Sequence, residues 1–263
     1  MVAASKMRKA QDAAIAGRPF THLMYRIQRD ATTHATDFKH PLLEVRPVRK
    51  RAIILVSADK GLCGSLNSNV FRLASQYDPE TTLFVAVGKR AAQFVARTGR
   101  QLLAEFEYSD TPTYPQACAI AAFARDVFIK KEADQVSVVA SRFINTMTQQ
   151  AMSIEFLPVG EILTVGAEGK AFEKALAADK AESLFEPGPE DVLGYLLSHY
   201  INIYVYQILL NAKASEQSAR MVAMKNATEN AETLIDDLKL EYNKLRQGNI
   251  TRDLLDIAGG QSG

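Results

Sequence analysis

From Asp191 to Ile257 the chain runs 67 residues without a proline, and Gly194 and Gly248 are its only glycines. Glu190 and Asp191 follow Pro187 and Pro189, and Gly259-Gly260 closes the stretch. These are start and stop signals of one helix. At 1.5 Å per residue such a helix would be about 100 Å long, more than a globular domain needs. A helix beyond about 25 residues points to a coiled coil, a repeat or a membrane span. No run reaches the roughly 18 apolar residues of a span, so the heptad is the test. Met221, Met224, Thr228, Ala231, Ile235, Leu238, Tyr242 and Leu245 alternate steps of three and four. That is a coiled-coil seam of nearly four heptads. Its flanks (Lys225, Glu229, Glu232, Asp236, Asp237, Lys239, Glu241, Lys244 and Arg246) are polar and of both signs. With Met, Thr and Ala in the seam it is not a leucine zipper, but small residues allow close approach and Met adapts to its neighbours. Upstream, Val192–Leu210 is apolar nearly all round, with Tyr195, Tyr200, Tyr204 and Tyr206. Such a segment is expected to be buried against the rest of the protein.

Two further zones precede this helix. Residues 1–40 read as helix, with Val2, Ala3, Met7, Ala10 and Ala14 at helical spacing and a second run, Phe20, Leu23, Met24, Ile27 and Ala31, after Pro19. The period predicts an amphipathic helix that Pro19 kinks or breaks. Residues 41–190 alternate short apolar runs with helical patterns. Strands are expected at 52–57, 83–87 and 136–141, and a weaker one at 154–157 before Pro158. Helices are expected at about 65–78, 89–98 and 116–131 between them. This alternation predicts an α/β domain with a Rossmann-like, parallel-rich sheet. Gly166–Glu182 is Ala- and Lys-rich and is expected on the surface. The long helix then occupies 191–263.

Composition narrows the class. Hydrophobic residues make up 47% of the 263, enough for a sizeable core. Lys and Arg number 31 against 30 Asp and Glu, a formal charge of +1. A global basic field is therefore excluded as the driver of nucleic-acid or membrane binding. The basic run Arg46, Arg49, Lys50 and Arg51 lacks interleaved aromatics and is expected to border a strand. Cys63 and Cys118 form no CxxC and no disulfide framework, which fits a reducing compartment. Met1–Arg8 lacks the apolar core of a secretory signal.

The chemistry-bearing motifs are few. Asp59-Lys60-Gly61-Leu62-Cys63-Gly64-Ser65 follows the first strand, where a Gly-rich turn can hold phosphate. Neither GxGxxG nor GxxxxGK[ST] is present, so a tight turn that starts a packed helix is the expected reading. Cys63 and Cys118 are expected to pack in the interior. The four histidines, His22, His34, His40 and His199, form no zinc spacing. No nucleophile elbow or EF-hand spacing occurs. No catalytic residue, metal ligand or cofactor-binding residue is therefore expected. Glu229, Glu232, Asp236 and Asp237 read as the solvated face of the long helix.

Ser215-Glu216-Gln217-Ser218-Ala219-Arg220-Met221-Val222-Ala223-Met224-Lys225-Asn226-Ala227-Thr228-Glu229-Asn230-Ala231 resembles the most diagnostic stretch of the gamma subunits of F-type ATP synthases. Tyr242–Thr251, Ser57–Asn67, Val2–Lys9, Phe143–Met147 and Glu186-Pro187 are also similar to that family, in collinear order. The resemblance implies a central rotor shaft that carries no active site of its own. The N- and C-terminal helices would form an antiparallel coiled coil inside a ring of alpha and beta subunits. The α/β domain would sit beside the epsilon subunit and the c-subunit ring. Proton-driven rotation would force the catalytic subunits through changing nucleotide affinities. By similarity, Arg220, Gln247 and Thr251 would face the catalytic subunits, and Phe185 and Glu186 the c ring and epsilon. Within the helix, Arg220 can also pair with Glu216, four residues earlier. No cofactor and no nucleic acid is implied. Membrane association would be peripheral, through the complex, and the absence of a paired-cysteine insert favours a bacterial type on the cytoplasmic face of the inner membrane.

Family members begin roughly two dozen residues upstream, about three heptads. The resemblance therefore implies a misplaced start or a shortened first helix, which would leave Leu238, Tyr242 and Leu245 short of an antiparallel partner. Asp253 and Gln261 stand where the family usually has Glu and Ala. The rival readings are a coiled-coil adaptor with an α/β head and a free-standing phosphate-binding α/β enzyme using the Gly61–Gly64 turn. Both leave the collinear motifs unexplained, and the enzyme also leaves the long helix without a role.

Overall fold

The protein is described here from a computed structural model. The described residues are 39–159 and 188–260, with residues 5, 7, 8 and 12. Ser5, Met7, Arg8 and Asp12 are helical. Lys39 and His40, at the end of the expected N-terminal helix, are not helical, His40 being extended ahead of Pro41. The rest of that helix, the Gly166–Glu182 segment, Phe185 and Glu186 lie outside the described residues.

A short 3₁₀ turn, Pro41–Leu43, leads into an alternating series. Strand β1 is Arg51–Val56, helix α1 Leu66–Ala74, strand β2 Thr82–Val87 and helix α2 Lys89–Arg97. Strand β3 is Gln101–Phe106, helix α3 Tyr114–Ile129, strand β4 Gln135–Phe143 and strand β5 Gln149–Leu157. Helix α4, Pro189–Gly260, spans 72 residues. The five strands lie in the order β3-β2-β1-β4-β5. β1 pairs parallel with β2 and β4, β2 pairs parallel with β3, and β4 pairs antiparallel with β5.

The period-2 alternation of strand side chains sorts two cores. Ala52, Ile54, Val56, Val85, Val87, Val136, Val138 and Ala140 face one side, where α3 contributes Ile120, Ala124 and Phe128. On that side α4 buries Leu197, Ile201, Tyr204, Ile208 and Ala212, spaced by three and four. Ile53, Leu55, Phe84, Ala86 and Val139 face the other side, against Val70 and Ala74 of α1 and Ala91, Phe94 and Val95 of α2. β1 and β2 are therefore apolar on both faces, as parallel strands between helix layers must be.

Four of the five strands and all three short helices match the sequence expectation within a few residues. β3 was not foreseen. It is an edge strand with only partial burial, so Gln101–Phe106 carries no continuous apolar run. β5 begins five residues before the expected position, because its first half (Gln149, Gln150) is polar and half-exposed. The expected burial of Tyr195 is corrected: it is 85% exposed. The apolar circumference of Val192–Leu210 is incomplete at that turn. The basic run does border β1. Backbone N–H groups of Arg49 and Lys50 donate to Asp134 Oδ2 at 2.8 and 3.0 Å, and these bonds hold the Asp134 carboxyl below the usual range. The Arg46 guanidinium stacks over Phe128 at 4.6 Å.

The chain divides into two compact units, Met1–Met221 and Val222–Gly263. The first holds the sheet and its helices. In the second, the seam residues Ile235, Leu238, Tyr242 and Leu245 are each at least half exposed. Its polar flank carries Lys239–Asp236 at 3.1 Å and Lys225–Glu229 at 3.7 Å, exposed pairs of small energetic weight.

Candidate functional site

Three of the stretches that carried the family resemblance meet around two turns of α4, residues Lys213–Arg220. The first is the loop after β1. Its Ser57 Oγ accepts from Ala91 N–H at 2.7 Å and its Asp59 Oδ1 from Lys89 N–H at 2.9 Å. The loop thus caps the N-terminus of α2, where side-chain oxygens satisfy free N–H groups and a carboxylate suits the helix dipole. Asn67 Oδ1 of α1 accepts from Ala58 N–H at 3.1 Å. Leu62 and Gly64 both have φ near +60°, which makes the turn tight. The expected tight-turn reading of Asp59–Ser65 is what the structure contains. Its acidic side chain occupies the N-terminus of α2, not that of α1, the helix the turn leads into.

Arg220 closes this loop from α4. Its guanidinium donates to the Gly61 and Lys60 carbonyls at 3.4 Å and to Glu216 Oε1 at 2.7 Å. Glu216 Oε2 in turn lies 3.0 Å from Lys213 Nζ, which is 3.4 Å from Asp110 Oδ1 beyond β3. The Lys213 ammonium sits 4.9 Å from the ring centroid of Tyr108. Tyr108 is buried and donates its hydroxyl to the Ser57 carbonyl at 2.9 Å. Burial, followed by the charges of Glu216, Asp59 and Asp110, raises its ionisation well above the ordinary tyrosine value. Lys213 is 1% and Glu216 2% exposed at the side chain, so the middle of the chain Asp110–Lys213–Glu216–Arg220 is dry while its ends reach the surface. Charges taken this far out of water must be paired.

The second grip comes from the β4–β5 hairpin. Ser218 Oγ donates to the Thr146 carbonyl at 2.6 Å, and Gln149 Nε2 lies 3.4 Å from Ser218 Oγ. Ala219 packs on Ala58, Cys63 and Leu66. β1 and β4 flank the point where strand order reverses, and the crevice beyond their carboxyl ends is where doubly wound sheets bind ligands. Here residues Ser218–Arg220 of the same chain engage the loops at both ends. That is the physical answer to the phosphate-enzyme reading: the glycine-rich turn serves helix α4 and helix α2.

Of the sequence-named residues, Arg220 therefore lies in this grip and makes its intrahelical pair with Glu216. Gln247 and Thr251 lie one turn apart on exposed helix, where Thr251 Oγ1 donates to the Gln247 carbonyl at 2.9 Å. Lys213, Ser218, Tyr108 and Asp110 were not singled out from sequence, and Glu216 was named only as the intrahelical partner of Arg220. A usable signal existed: Lys213 stands between Ala212 and Ala214 in a mostly apolar stretch, and Glu216 stands at i+3 from Lys213 and i−4 from Arg220. Among the described residues, no group of three or more His, Cys, Asp and Glu is arranged to hold a metal ion. Among them, too, no helix is long and apolar enough to cross a membrane.

Cys63 is 3% exposed under this loop, as expected, whereas Cys118 is only partly buried. Burial pushes the Cys63 thiol above its usual ionisation, opposed in part by the Arg220 charge. Since the thiolate is the nucleophile, a raised value means less of it at any pH below that value. In a Cys118→Ser chain at pH 8, Cys63 should alkylate with iodoacetamide about tenfold or more slowly than glutathione. Mass spectrometry of timed samples reads the rate, and a rate equal to glutathione's would mean that the loop does not stay closed on α4.

The ATP synthase family (ATP-synt) matches residues 1–263. The chain is 45% identical over 267 residues to the ATP synthase gamma chain of Opitutus terrae, covering 99% of this chain and 90% of that one. It is 41% identical over 266 residues to the gamma chain of Methylacidiphilum infernorum, with the same coverage. Among solved structures, a chain of the central stalk/c-ring of the Tetrahymena thermophila mitochondrial ATP synthase superposes with a TM-score of 0.63 at 26% identity. That match covers 87% of this chain and 96% of that one. A chain of the Euglena gracilis mitochondrial ATP synthase, at 16% identity and a TM-score of 0.60, shares the fold. With relatives this similar along nearly its whole length, the chain belongs to the ATP synthase gamma-chain family.

Proposed function

We propose that this protein is the central rotor shaft of an F-type ATP synthase, a non-catalytic subunit that couples ion-driven rotation to ATP synthesis in other subunits. The observation that carries the reading is the near-complete match to gamma chains, joined to a 72-residue helix whose first part is packed into an α/β domain. A shaft needs a stiff element and a fixed attachment. The helix supplies the first and the Lys213–Arg220 grip the second.

In this reading residues 1–40 and 191–263 pair as an antiparallel coiled coil, and 41–190 form the head. The exposed apolar stripe Ile235, Leu238, Tyr242 and Leu245 supports the pairing, since a helix seam of that kind calls for a partner. The coil turns inside a ring of alpha and beta subunits, which meet Arg220, Gln247 and Thr251. The head, with Phe185 and Glu186, meets the epsilon subunit and the c ring. The protein is then peripheral, on the cytoplasmic face of a bacterial inner membrane, and the driving ion is the proton.

Reconstitution tests this. Mixed with alpha and beta subunits, the chain should yield a complex that hydrolyses Mg-ATP at least about tenfold faster than alpha and beta subunits alone. In that complex, a bead on the head should turn stepwise during hydrolysis. A chain that assembles with neither subunit, or a complex that hydrolyses without rotation, would overturn the reading.

A further inference from the structure

The packing of α4 on the sheet is mostly apolar, and apolar contact is non-directional. A helix held that way resists being pulled off more than being rolled about its own axis. Rolling is resisted by directional contacts on different sides of the helix. At about 100° per residue, Lys213 and Arg220 lie within roughly 20° of each other, and Ser218 lies roughly 140–160° round from both. The Lys213/Arg220 side is held by Asp110 at 3.4 Å and by the Lys60 and Gly61 carbonyls at 3.4 Å. The opposite side is held by the Thr146 carbonyl at 2.6 Å. Buried Glu216 joins the two cations, so they act as one unit.

We propose that Lys213, Glu216 and Ser218 are positioning residues that key α4 against rolling in the α/β head. Each side alone permits rotation about its own contact, whereas contacts on nearly opposite sides form a couple that opposes torque in either sense. The contacts come from three separate loops, after β1, after β3 and between β4 and β5, so a roll must deform all three. Arg220 takes part through carbonyl oxygens, which fix its fork geometrically. The inference deepens the rotor reading and rests on it.

The test uses the assembled complex with the catalytic ring immobilised and a bead on the head. With rotation arrested by Mg-ADP, the angular variance of the bead reports torsional compliance. The double variant Lys213→Met with Glu216→Leu removes the charges and keeps side-chain volume. Its angular variance is expected to rise at least about twofold over the unmodified complex, because directional contacts are lost from one side of the helix. Tyr195→Ala, at an exposed position of the same helix, should leave the variance unchanged. An unchanged variance in the double variant overturns the proposal, as does an equal rise in Tyr195→Ala. If the double variant does not assemble, Asp110→Asn with Ser218→Ala removes one contact from each side without stranding a buried charge in the apolar interior, and the same two outcomes decide. Failure of the unmodified complex to rotate at all would count against the rotor reading, whereas normal rotation with unchanged compliance in the variants would count against the key alone.

Discussion

Gly88→Ala is expected to destabilise the α/β head by about 3 kcal/mol or more, from two additive causes. Gly88 has φ +98° and ψ 147°, backbone space that only glycine occupies at low cost. A Cβ there would also stand 2.5 Å from the Ser57 carbonyl oxygen and 3.3 Å from Asp59 Oδ1. Neither neighbour is free to yield. The Ser57 carbonyl accepts the buried Tyr108 hydroxyl, and Asp59 caps Lys89 at the start of α2. Displacing them disturbs β1, the α2 cap and the floor beneath Lys213 together. Urea unfolding of the full chain, followed by far-ultraviolet circular dichroism, measures the loss. Gly64→Ala is the control. Its φ is +58° but nothing lies within 4 Å of its Cβ, so about 1–2 kcal/mol is expected. A Gly88→Ala loss no larger than that of Gly64→Ala would show that the β1 and β2 loops are not locked together.

The legibility of this fold in sequence followed burial. β1, β2 and β4 are apolar on consecutive positions because both faces are covered, and they stood out as runs. β3 and β5 are edge strands with only partial burial, and the polar residues that this allows hid one entirely and shortened the other. The long helix was legible because proline and glycine are absent from nearly all of it, a local property. The grip at Lys213–Arg220 was not, because it depends on contacts between residues far apart in sequence, Asp110 with Lys213 and Gly61 with Arg220. Helical periodicity relates each residue only to others on its own helix. The Glu216–Arg220 pair is visible in that pattern, whereas the loops that pair holds are not.

The same buried pair gives the second large expectation. Glu216→Ala should cost about 3–5 kcal/mol in stability, whereas Lys213→Met with Glu216→Leu should cost no more than about 2 kcal/mol, since no ammonium is stranded and Arg220, which loses Glu216 Oε1, keeps the Lys60 and Gly61 carbonyls. The asymmetry comes from what each change leaves behind. With Glu216 gone, Lys213 stays at 1% exposure, with the half-exposed Asp110 at 3.4 Å and the Tyr108 ring as its remaining neighbours. A buried ammonium whose one remaining carboxylate is half in water recovers only part of its desolvation cost. The pair as it stands is not an ideal one: Lys213 Nζ and Glu216 Oε2 are close in distance but poorly aligned for a hydrogen bond. Their attraction therefore does little beyond offsetting the burial of the two charges, and apolar side chains of similar volume can replace both. Paired urea titrations of the two variants decide the matter. Equal losses would mean that the ion pair is a net source of stability. A loss confined to Glu216→Ala would mean that these charges add little net stability to the fold, since apolar side chains hold α4 in the head as firmly.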